Sequence, residues 1–396
     1  MPERRKPVQA VLDGAPCIWY CNIPLPLALS GIWCPGTAPM NNKARFTTAG
    51  LFGVLFSFVV ASARGEAPSM GFTQLPQADG GSVTVFYPSS DPHSVVSQGP
   101  FRLSLASRGN PVKGNSRLVV ISHGSGGSPW VHTDLARTLV QRGFTVAVPQ
   151  HHGDNYLDSS EPGPISWTKR PQEISMAIDA VSGYQPLAAH LSLDAVGVFG
   201  GSAGGHTALS LAGGIWSNQR FREHCDKNIA QDFSSCVGFI TSLDGGWLDG
   251  LKMWFARQVI AARFSNDSIY QYEDARIRAA IAMVPYAADF LPESLSNPKI
   301  PLGLVIADKD VNQVPKFHVE AILNACAPRC ELLMRIPDAG HGAMLSPMPP
   351  LEPGSIGSAL LSDPPSFNRT QVIPELNLRV TDFFIRHLSE HDRMRQ

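Results

Sequence analysis

The chain has 396 residues, of which 43% are hydrophobic and 16% are charged, and its formal net charge at pH 7 is −1. This length can build one large α/β domain or two small ones, with a sizeable core. The balanced charge and the absence of a long basic run argue against a nucleic-acid binder, which depends on neutralising phosphates. The 35 Gly and 33 Pro follow no period, so a coiled coil, a collagen and a charged disordered chain are excluded. No apolar run reaches about 20 residues, which excludes a multi-span membrane protein.

The first 66 residues differ in character from the rest. Residues 1–39 show no helical or strand period, and we interpret them as an upstream extension that is not native to the protein. Residues 40–66 have the order of a secretory signal peptide followed by a mature N-terminus. Its parts are a start at Met40, basic Lys43 and Arg45, apolar Ala49–Val60, and the small-x-small site Ala61-Ser62-Ala63. A single membrane anchor is the alternative, but an apolar core of about 12 residues is short for a span of about 20. We therefore predict export, to the periplasm or the medium, of a mature protein without a stable membrane span.

Four cysteines remain in the mature part, Cys225, Cys236, Cys326 and Cys330. An even number in an exported chain predicts two disulfides, for which three connectivities are possible. Pairing of nearest neighbours, Cys225 with Cys236 and Cys326 with Cys330, is the simplest. No Cys-x-x-Cys pair occurs and the spacings fit no zinc template, so no metal is expected.

Strands and helices alternate along residues 67–396, which we interpret as a single domain. In chain order the pattern predicts opening antiparallel strands over Gly71–Pro88, which end in Val83–Pro88. It then predicts strands at Arg117–Ser122, Thr145–Pro149, Ala195–Phe199, Ala279–Val284, Leu302–Ala307 and Glu331–Ile336. It predicts helices at Thr133–Arg142, Pro171–Ser182, His206–Ala212, Pro315–Asn324 and Leu376–Leu388. Polar and Pro-rich loops cover His151–Trp167 and Ser346–Pro365, and residues 213–275 break the rhythm as a cap-like insertion. This alternation predicts an α/β fold with a mostly parallel central sheet flanked by helices.

The first chemical motif is Gly200-Gly201-Ser202-Ala203-Gly204, a G-x-S-x-G sequence between a predicted strand and a predicted helix. In that context the turn is so tight that its neighbours must be glycine, and it presents a strained serine hydroxyl to substrate. A plain Gly-rich turn is the alternative. We interpret Ser202 as a nucleophile.

A serine hydroxyl needs a general base, which in chains with this motif follows the nucleophile and an acid in sequence. His341 lies in the loop Asp338-Ala339-Gly340-His341-Gly342, directly after a predicted strand, and is our candidate base. His206 is expected to pack or to line the pocket, whereas His318, His387 and His391 lie on predicted helices and are expected to be solvated.

The acid that orients the base should follow a strand. Strand Leu302–Ala307 leads into Asp308-Lys309-Asp310, and we favour Asp310, with Asp308 as a turn or capping residue. Asp244, after apolar Val237–Leu243, is a third candidate. All three remain open at this point.

A tetrahedral intermediate also needs preorganised N–H donors for its oxyanion. The N–H of Ala203, directly after the nucleophile, is one candidate donor. The other is the N–H of Ser125, in the Gly-rich loop His123-Gly124-Ser125-Gly126-Gly127-Ser128. A phosphate-binding loop is the alternative, but the Lys-Ser/Thr ending of a P-loop and the spacing of a dinucleotide fingerprint are missing.

Several motifs in a fixed order now define a resemblance over about residues 71–388. They are V-F-Y-P (85–88), I-S-H-G-S-G-G-S (121–128), F-T-V-A-V-P-Q-H-H-G-D-N (144–155), K-R-P-Q-E-I-S (169–175), G-V-F-G-G-S-A-G-G-H (197–206), R-I-R-A-A-I-A-M-V-P (276–285), A-D-K-D-V-N-Q-V-P (307–315) and D-A-G-H (338–341). The chain resembles the α/β-hydrolase superfamily, and within it bacterial dienelactone hydrolase-like proteins related to platelet-activating-factor acetylhydrolases. The resemblance implies an α/β-hydrolase fold, a triad of Ser202, Asp310 and His341, and oxyanion donors at Ser125 and Ala203.

Two departures from these families concern the substrate. True dienelactone hydrolases carry Cys at the position of Ser202, and many relatives carry His at the position of Gly201. The sequence predicts an exported serine hydrolase of small-molecule carboxylic esters that needs no cofactor.

Rival hypotheses are a lactone hydrolase, a phospholipid acetyl-ester hydrolase, an acyltransferase, or a catalytically silent binding protein on this fold. The aromatic residues of the insertion, Trp216, Phe221, Trp247 and Trp254, would suit an apolar acyl chain or an aromatic ester. They would equally suit the core of a cap.

Overall fold

A computed structural model describes residues 68–393, except residue 239. The predicted upstream extension and signal peptide lie outside the described residues. In this part of the chain the strands are β1 (Ser69–Pro76), β2 (Ser82–Ser89), β3 (Ser94–Gln98), β4 (Phe101–Ser107), β5 (Leu118–Ser122), β6 (Thr145–Pro149), β7 (Val196–Gly201), β8 (Trp216–Ser217), β9 (Ile269–Tyr270), β10 (Ile277–Met283), β11 (Leu302–Ala307) and β12 (Glu331–Ile336).

Each helix that the sequence predicted overlaps an α-helix of the same residues. The α-helices of this part of the chain are α1 (Thr133–Gln141), α2 (Ile165–Gly183), α3 (Gln185–Ala188), α4 (Ala203–Leu211), α5 (Asn218–Asn228), α6 (Phe233–Val237), α7 (Asp249–Arg263), α8 (Val319–Cys326), α9 (Ile356–Leu361) and α10 (Arg369–Arg393). None of the helices in the described part combines the length and the apolar character that a bilayer span requires.

Ten of the described strands form one sheet in the order β12-β11-β10-β7-β5-β6-β2-β1-β4-β3. The six neighbouring strands from β12 to β6 are parallel, and β2 joins them antiparallel to β6. The predicted mostly parallel sheet is therefore confirmed. Parallel strands direct their carboxyl ends to one edge, and the loops that leave this edge build the candidate site.

Strand β5 shows how the sequence covers both faces of the sheet. Leu118 and Val120 belong to one buried cluster, which contains Ile174 of α2 and Leu209 of α4. Val119 and Ile121 belong to the other, with residues of α1 and α10. Because successive side chains of a strand point to opposite faces, a strand between two helical layers must be apolar throughout.

Several helix boundaries differ from the sequence prediction. Helix α2 begins at Ile165 rather than at Pro171, so that Pro171 lies inside it. Proline is normally found in the first helical turn, but the segment before Pro171 is held in the helix by buried Trp167 and Arg170. Helix α10 likewise begins at Arg369, before its internal Pro374. Strands β3 and β4 were not predicted at all.

Residues 213–275, which the sequence predicted to be an insertion and which are called the insertion below, contain α5, α6, α7 and the two-stranded sheet of β8 and β9. A disulfide between Cys225 and Cys236 joins α5 to α6. A second disulfide joins Cys326 to Cys330 at the end of α8. The structure thus contains the simplest of the three connectivities.

Candidate active site

The carboxyl edge of the parallel strands collects the residues that the sequence singled out. Ser202 follows β7, Asp310 follows β11 and His341 follows β12. Ser125 lies in the loop after β5, and Asp154 lies in the loop after β6. Separate segments of the chain therefore converge at one edge, which is the usual location of ligand sites in open α/β sheets.

Ser202 occupies a strained turn between β7 and α4. Its φ is 56° and its ψ is −120°, a conformation that costs energy in any residue with a Cβ. A Cβ on Gly200 would lie 1.9 Å from the carbonyl oxygen of Gly204, and one on Gly204 would lie 1.9 Å from that of Ser122. The two glycines are required because backbone packs directly against backbone there, and this packing holds the serine in place.

His341 and Asp310 form a buried hydrogen-bonded pair. Nδ1 of His341 lies 2.7 Å from Oδ2 of Asp310, and the two side chains are 1% and 0% exposed. Oδ1 of Asp310 accepts the N–H groups of Asn312, at 2.8 Å, and Gln313, at 2.9 Å. Both carboxylate oxygens are thus engaged, and the imidazole is fixed with Nδ1 toward the acid. Nε2 of His341 is buried without a hydrogen-bond partner among the described residues.

The loops of the acid and the histidine also contact each other and the turn of Ser202. The N–H of Lys309 donates to the carbonyl of Ala339 at 2.9 Å. Met344 follows His341 in the same short 3₁₀ helix. Its Sδ would lie 2.8 Å from a Cβ on Gly201, and its Cε would lie 3.3 Å from a Cβ on Gly124. Met344 therefore fills the space that a larger residue at position 201 would need.

The other two candidate acids lie apart from His341. Asp308 accepts a hydrogen bond of 2.6 Å from Arg335. Asp244 lies in the insertion with a side chain that is 68% exposed, and it pairs with Lys252 at 3.0 Å. The hydrogen bonds from Lys252 hold the pKa of Asp244 below its usual value. Of the three candidates, the described structure brings Asp310 to the imidazole.

Three donors of the Gly-rich loop already have acceptors. The hydroxyl of Ser125 donates to Oδ1 of Asp154, which also accepts the N–H of Gly126 at 3.2 Å. The N–H of Gly127 donates to the carbonyl of Gly124 at 3.0 Å. On the other side of the nucleophile, α4 begins at Ala203, and first-turn N–H groups have no acceptor within a helix. This arrangement is compatible with Ser125 and Ala203 as backbone donors.

Comparison with solved structures agrees with this architecture. A ferulic acid esterase from Streptomyces cinnamoneus is similar, with a TM-score of 0.52 and 17% sequence identity over 84% of this chain and 93% of that chain. The chain has the α/β-hydrolase fold. A scan against protein-family models gives no match, and a search of curated proteins gives none either.

Within the α/β-hydrolase fold, His206, His318 and His387 have structural partners. His206 is buried, stacks on Trp167 and places Nε2 3.0 Å from Oδ2 of Asp289. The prediction that His318 is solvated is wrong, because its side chain is 0% exposed and its Nε2 lies 2.9 Å from Asp232. His387 is half-buried, with its ring 4.5 Å from that of Phe383. The side chain of His391 lies outside the described residues.

Two groups of described side chains have the composition of a metal site. His224, Asp232 and His318 form one, and Asp79, His152 and Glu173 form the other. In the first group, Nδ1 of His318 accepts the N–H of Ala287 at 3.0 Å, so a neutral ring carries its proton on Nε2 and donates to Asp232. A metal ion would need a free lone pair on Nε2, where this proton lies. The hydrogen bonding of His318 therefore does not fit a set of metal ligands.

In the second group, Glu173 is already a hydrogen-bond acceptor. Its Oε2 lies 2.5 Å from Nδ1 of His151 and its Oε1 accepts the N–H of His152 at 3.1 Å. Both oxygens of Glu173 thus have protein partners. Oδ1 of Asp79 accepts the N–H of Gly81 at 2.9 Å and its Oδ2 lies 3.2 Å from Nδ1 of His152, so every carboxylate oxygen of this group already has a partner.

The aromatic residues of the insertion divide into two sets. Trp216 and Phe221 are 1% and 2% exposed and pack around Trp167 with ring centroids 6.1 and 6.2 Å away. They form core between the insertion and the sheet. Trp247 and Trp254 are 90% and 57% exposed, so they lie on the surface and belong neither to a buried cap core nor to an enclosed acyl pocket.

Sequence reasoning gave no role to Asp154 and Arg170, which lie directly behind the Gly-rich loop. Both are buried and form an ion pair of 2.8 Å. The available signal was a pair of charged residues, Arg170 and Glu173, on the same helical segment as the apolar Ile174 and Ile178. Charged groups in such a position are almost always paired.

Proposed function

We propose that the chain is an exported serine hydrolase that cleaves carboxylic esters of small molecules. The observation that carries the proposal is the buried pair of His341 and Asp310, in which Nε2 of the imidazole has no hydrogen-bond partner among the residues that the structure describes. The pair lies at the same edge of the sheet as Ser202, which occupies the strained turn that exposes a nucleophile in this fold.

In the proposed mechanism, Oγ of Ser202 attacks the ester carbonyl carbon while Nε2 of His341 accepts the hydroxyl proton. Asp310 holds Nδ1–H and stabilises the imidazolium that forms. The oxyanion accepts hydrogen bonds from the N–H groups of Ser125 and Ala203. The intermediate collapses, the alcohol leaves with the proton from His341, and an acyl-enzyme remains. Water then attacks this ester with His341 again as the base, the bond to Oγ of Ser202 breaks, and the acid is released as Ser202 regains its proton from His341.

The similarity to a ferulic acid esterase supports this reading at the level of the fold, which hosts many activities. Fold alone does not select the substrate. The choice among simple esters, lactones and phospholipid acetyl esters therefore rests on measurement. Export is supported by the N-terminal pattern of the sequence and by the two disulfides, which persist in oxidising compartments.

The test is hydrolysis of p-nitrophenyl esters from acetate to palmitate by protein that begins at Ala67. Ser202→Ala removes the nucleophile, and Ser210→Ala is the matched control. Ser210 is a buried serine of α4 whose hydroxyl donates to the carbonyl of His206. Ser210→Ala therefore removes a buried hydroxyl from the same helix but leaves the proposed nucleophile in place. A fluorophosphonate probe with mass analysis reports the modified serine independently of ester choice.

We expect hydrolysis and labelling in the wild type and in Ser210→Ala, and neither in Ser202→Ala. A short-chain optimum would indicate a small acyl pocket, whereas a long-chain optimum would indicate lipid substrates. A folded wild type that neither hydrolyses any ester or lactone nor reacts with the probe would contradict the proposal and favour a silent binding protein.

A further inference from the structure

Arg170 is a fully buried arginine behind the Gly-rich loop. It projects from α2 and is 0% exposed. Its Nη1 donates to the carbonyl of His123 at 2.5 Å. Its Nη2 donates to Oδ2 of Asp154 at 2.8 Å and lies 3.5 Å from the carbonyl of Gly124. One guanidinium therefore contacts two successive carbonyls of the loop, a geometry that the planar fork of arginine provides and a lysine cannot reproduce.

These contacts set the direction of the peptide group between Gly124 and Ser125. In a trans peptide the carbonyl and the N–H point in opposite directions. Because the carbonyl of Gly124 faces Arg170 and the N–H of Gly127, the N–H of Ser125 faces away from them. Gly124 itself lies against the nucleophile, since a Cβ added to it would be 3.4 Å from Cβ of Ser202.

Asp154 fixes the other half of the loop. Oδ1 accepts the Ser125 hydroxyl and the Gly126 N–H, while Oδ2 accepts Arg170 and, at 2.8 Å, the hydroxyl of Ser166. Burial raises the pKa of Asp154, but the charge of Arg170 and these hydrogen bonds outweigh it, and the pKa lies below its usual value. Asp154 is therefore an anion, and it restrains Ser125 by accepting the hydrogen bond from the Ser125 hydroxyl.

Two buried histidines complete the support as neutral groups. The backbone N–H of His151 donates to Nε2 of His123 at 3.3 Å. The ring proton of neutral His123 therefore lies on Nδ1, which donates to the carbonyl of Gly124 at 2.7 Å. Burial holds the pKa of both rings well below the usual value. His151 also lies 2.8 Å from the hydroxyl of Ser122, at the end of β5.

We propose that Arg170 and Asp154 are positioning residues, which orient the N–H of Ser125 toward the oxyanion of the reaction. The proposal rests on the ester hydrolysis proposed above. Neither side chain would touch substrate. Their contribution is made when charge develops on the carbonyl oxygen, so they should affect the transition state more than the bound ester.

The test compares Arg170→Met, Arg170→Lys and Asp154→Asn with Arg117→Met. Arg117 is a matched control, because it is also a buried arginine in an ion pair, with Nη1 3.1 Å from Oδ1 of Asp194. It precedes β5, whereas the Gly-rich loop follows this strand. The measurements are kcat and KM on p-nitrophenyl acetate and the inhibition constant of a trifluoromethyl ketone. That ketone adds the serine hydroxyl and forms an anionic hemiketal, whereas KM reports the neutral ester.

We expect Arg170→Met and Asp154→Asn to lower kcat by about 10- to 100-fold, because a small misplacement of a donor has an effect of this order. The ketone should bind more weakly by a similar factor while KM changes little. Arg170→Lys should lose activity as well, since its single ammonium cannot span both carbonyls and the carboxylate. Arg117→Met should lose stability but keep kcat and ketone affinity.

Equal kcat and ketone affinity in the folded Arg170 and Arg117 variants would overturn the positioning role while leaving the esterase proposal intact. A wild type without hydrolysis and without reaction at Ser202 would instead remove both proposals. If Arg170→Met fails to fold, Arg170→Lys and Asp154→Asn decide by the same two readouts, since each keeps part of the ion pair's hydrogen bonding.

Discussion

Nδ1 of His341 lies 2.7 Å from Oδ2 of Asp310, although 31 residues separate the two in the chain. The contact arises because β11 and β12 are parallel neighbours, so the loops at their carboxyl ends meet. The carboxylate is held by two backbone N–H groups, which leaves its second oxygen directed at the imidazole. The pair is therefore built by sheet topology and local turn geometry together.

Asp310→Asn should lower kcat for ester hydrolysis by about 10³- to 10⁴-fold, because an amide can donate to Nδ1 and would favour the wrong imidazole tautomer. Asp308→Asn and Asp244→Asn are the matched controls. Both residues were candidate acids, and both pair with surface cations instead. Steady-state kinetics with p-nitrophenyl acetate checks the series. A large loss in either control, with activity retained in Asp310→Asn, would contradict the assignment.

Local patterns were sufficient to predict the parallel sheet, the turn that holds Ser202 and the loop that holds His341. Each of these depends on short stretches: an apolar strand of β5 or β7, a G-x-S-x-G turn, and a loop after a strand. Asp310 could be favoured but not separated from Asp308, because the choice depends on which side chain faces β12. Sequence order alone cannot show that direction.

The residues that were misread depend on tertiary contacts. His318 was expected to be solvated, yet Asp232 from the insertion and the N–H of Ala287 enclose it. Arg170 and Asp154 pair across 16 residues of loop and helix, and neither position carries a pattern that reveals the other. Trp247 and Trp254 show the reverse case, since large aromatic side chains predicted to be enclosed are exposed.

Gly204→Ala should prevent stable folding. Its new methyl group would lie 1.9 Å from the carbonyl oxygen of Ser122. The clash is with the backbone of β5, which cannot move aside as a flexible side chain can. We expect a loss of about 3 kcal/mol or more in the free energy of unfolding, or an insoluble chain. Urea unfolding followed by circular dichroism checks this.

Gly183→Ala is the matched control for that variant. A Cβ there would meet nothing within 4 Å, and Gly183 ends α2. Alanine should raise the free energy of unfolding by about 0.5–1 kcal/mol, since it is the better helix former and restricts the unfolded chain. Normal stability of Gly204→Ala would show that the strand, the turn and β5 are not packed as described.

The two disulfides should contribute unequally to stability. Cys225 and Cys236 are separated by 11 residues and Cys326 and Cys330 by 4. Loop-closure entropy predicts losses of about 3 kcal/mol for Cys225→Ala with Cys236→Ala, and about 2 kcal/mol for Cys326→Ala with Cys330→Ala. Thermal unfolding of the two double variants measures the difference. Equal losses, or a larger loss for the shorter loop, would contradict the entropic argument.

Asp232 should stabilise the fold in a pH-dependent manner. Its side chain is 0% exposed and accepts hydrogen bonds from His224, His318 and Ser235. Burial raises the pKa of Asp232, but these hydrogen bonds outweigh it and the pKa lies below its usual range. Removing one partner of a buried pair is costly, so Asp232→Asn should lose about 3 kcal/mol near neutral pH.

The sign of the pH effect follows from proton binding. Above about pH 5 both folded and unfolded Asp232 are ionised, and the stabilisation is fully present. As the pH falls below that value, the unfolded chain binds the proton before the folded one does, and the stabilisation is lost. The gap in unfolding free energy between wild type and Asp232→Asn should therefore narrow between about pH 5 and about pH 3.

Asp226→Asn is the control, because Asp226 is an exposed residue of the same helical segment as His224 and should show no such narrowing. A gap that stays constant or widens with acidification would mean that the carboxylate of Asp232 is not held as an anion by its two histidines.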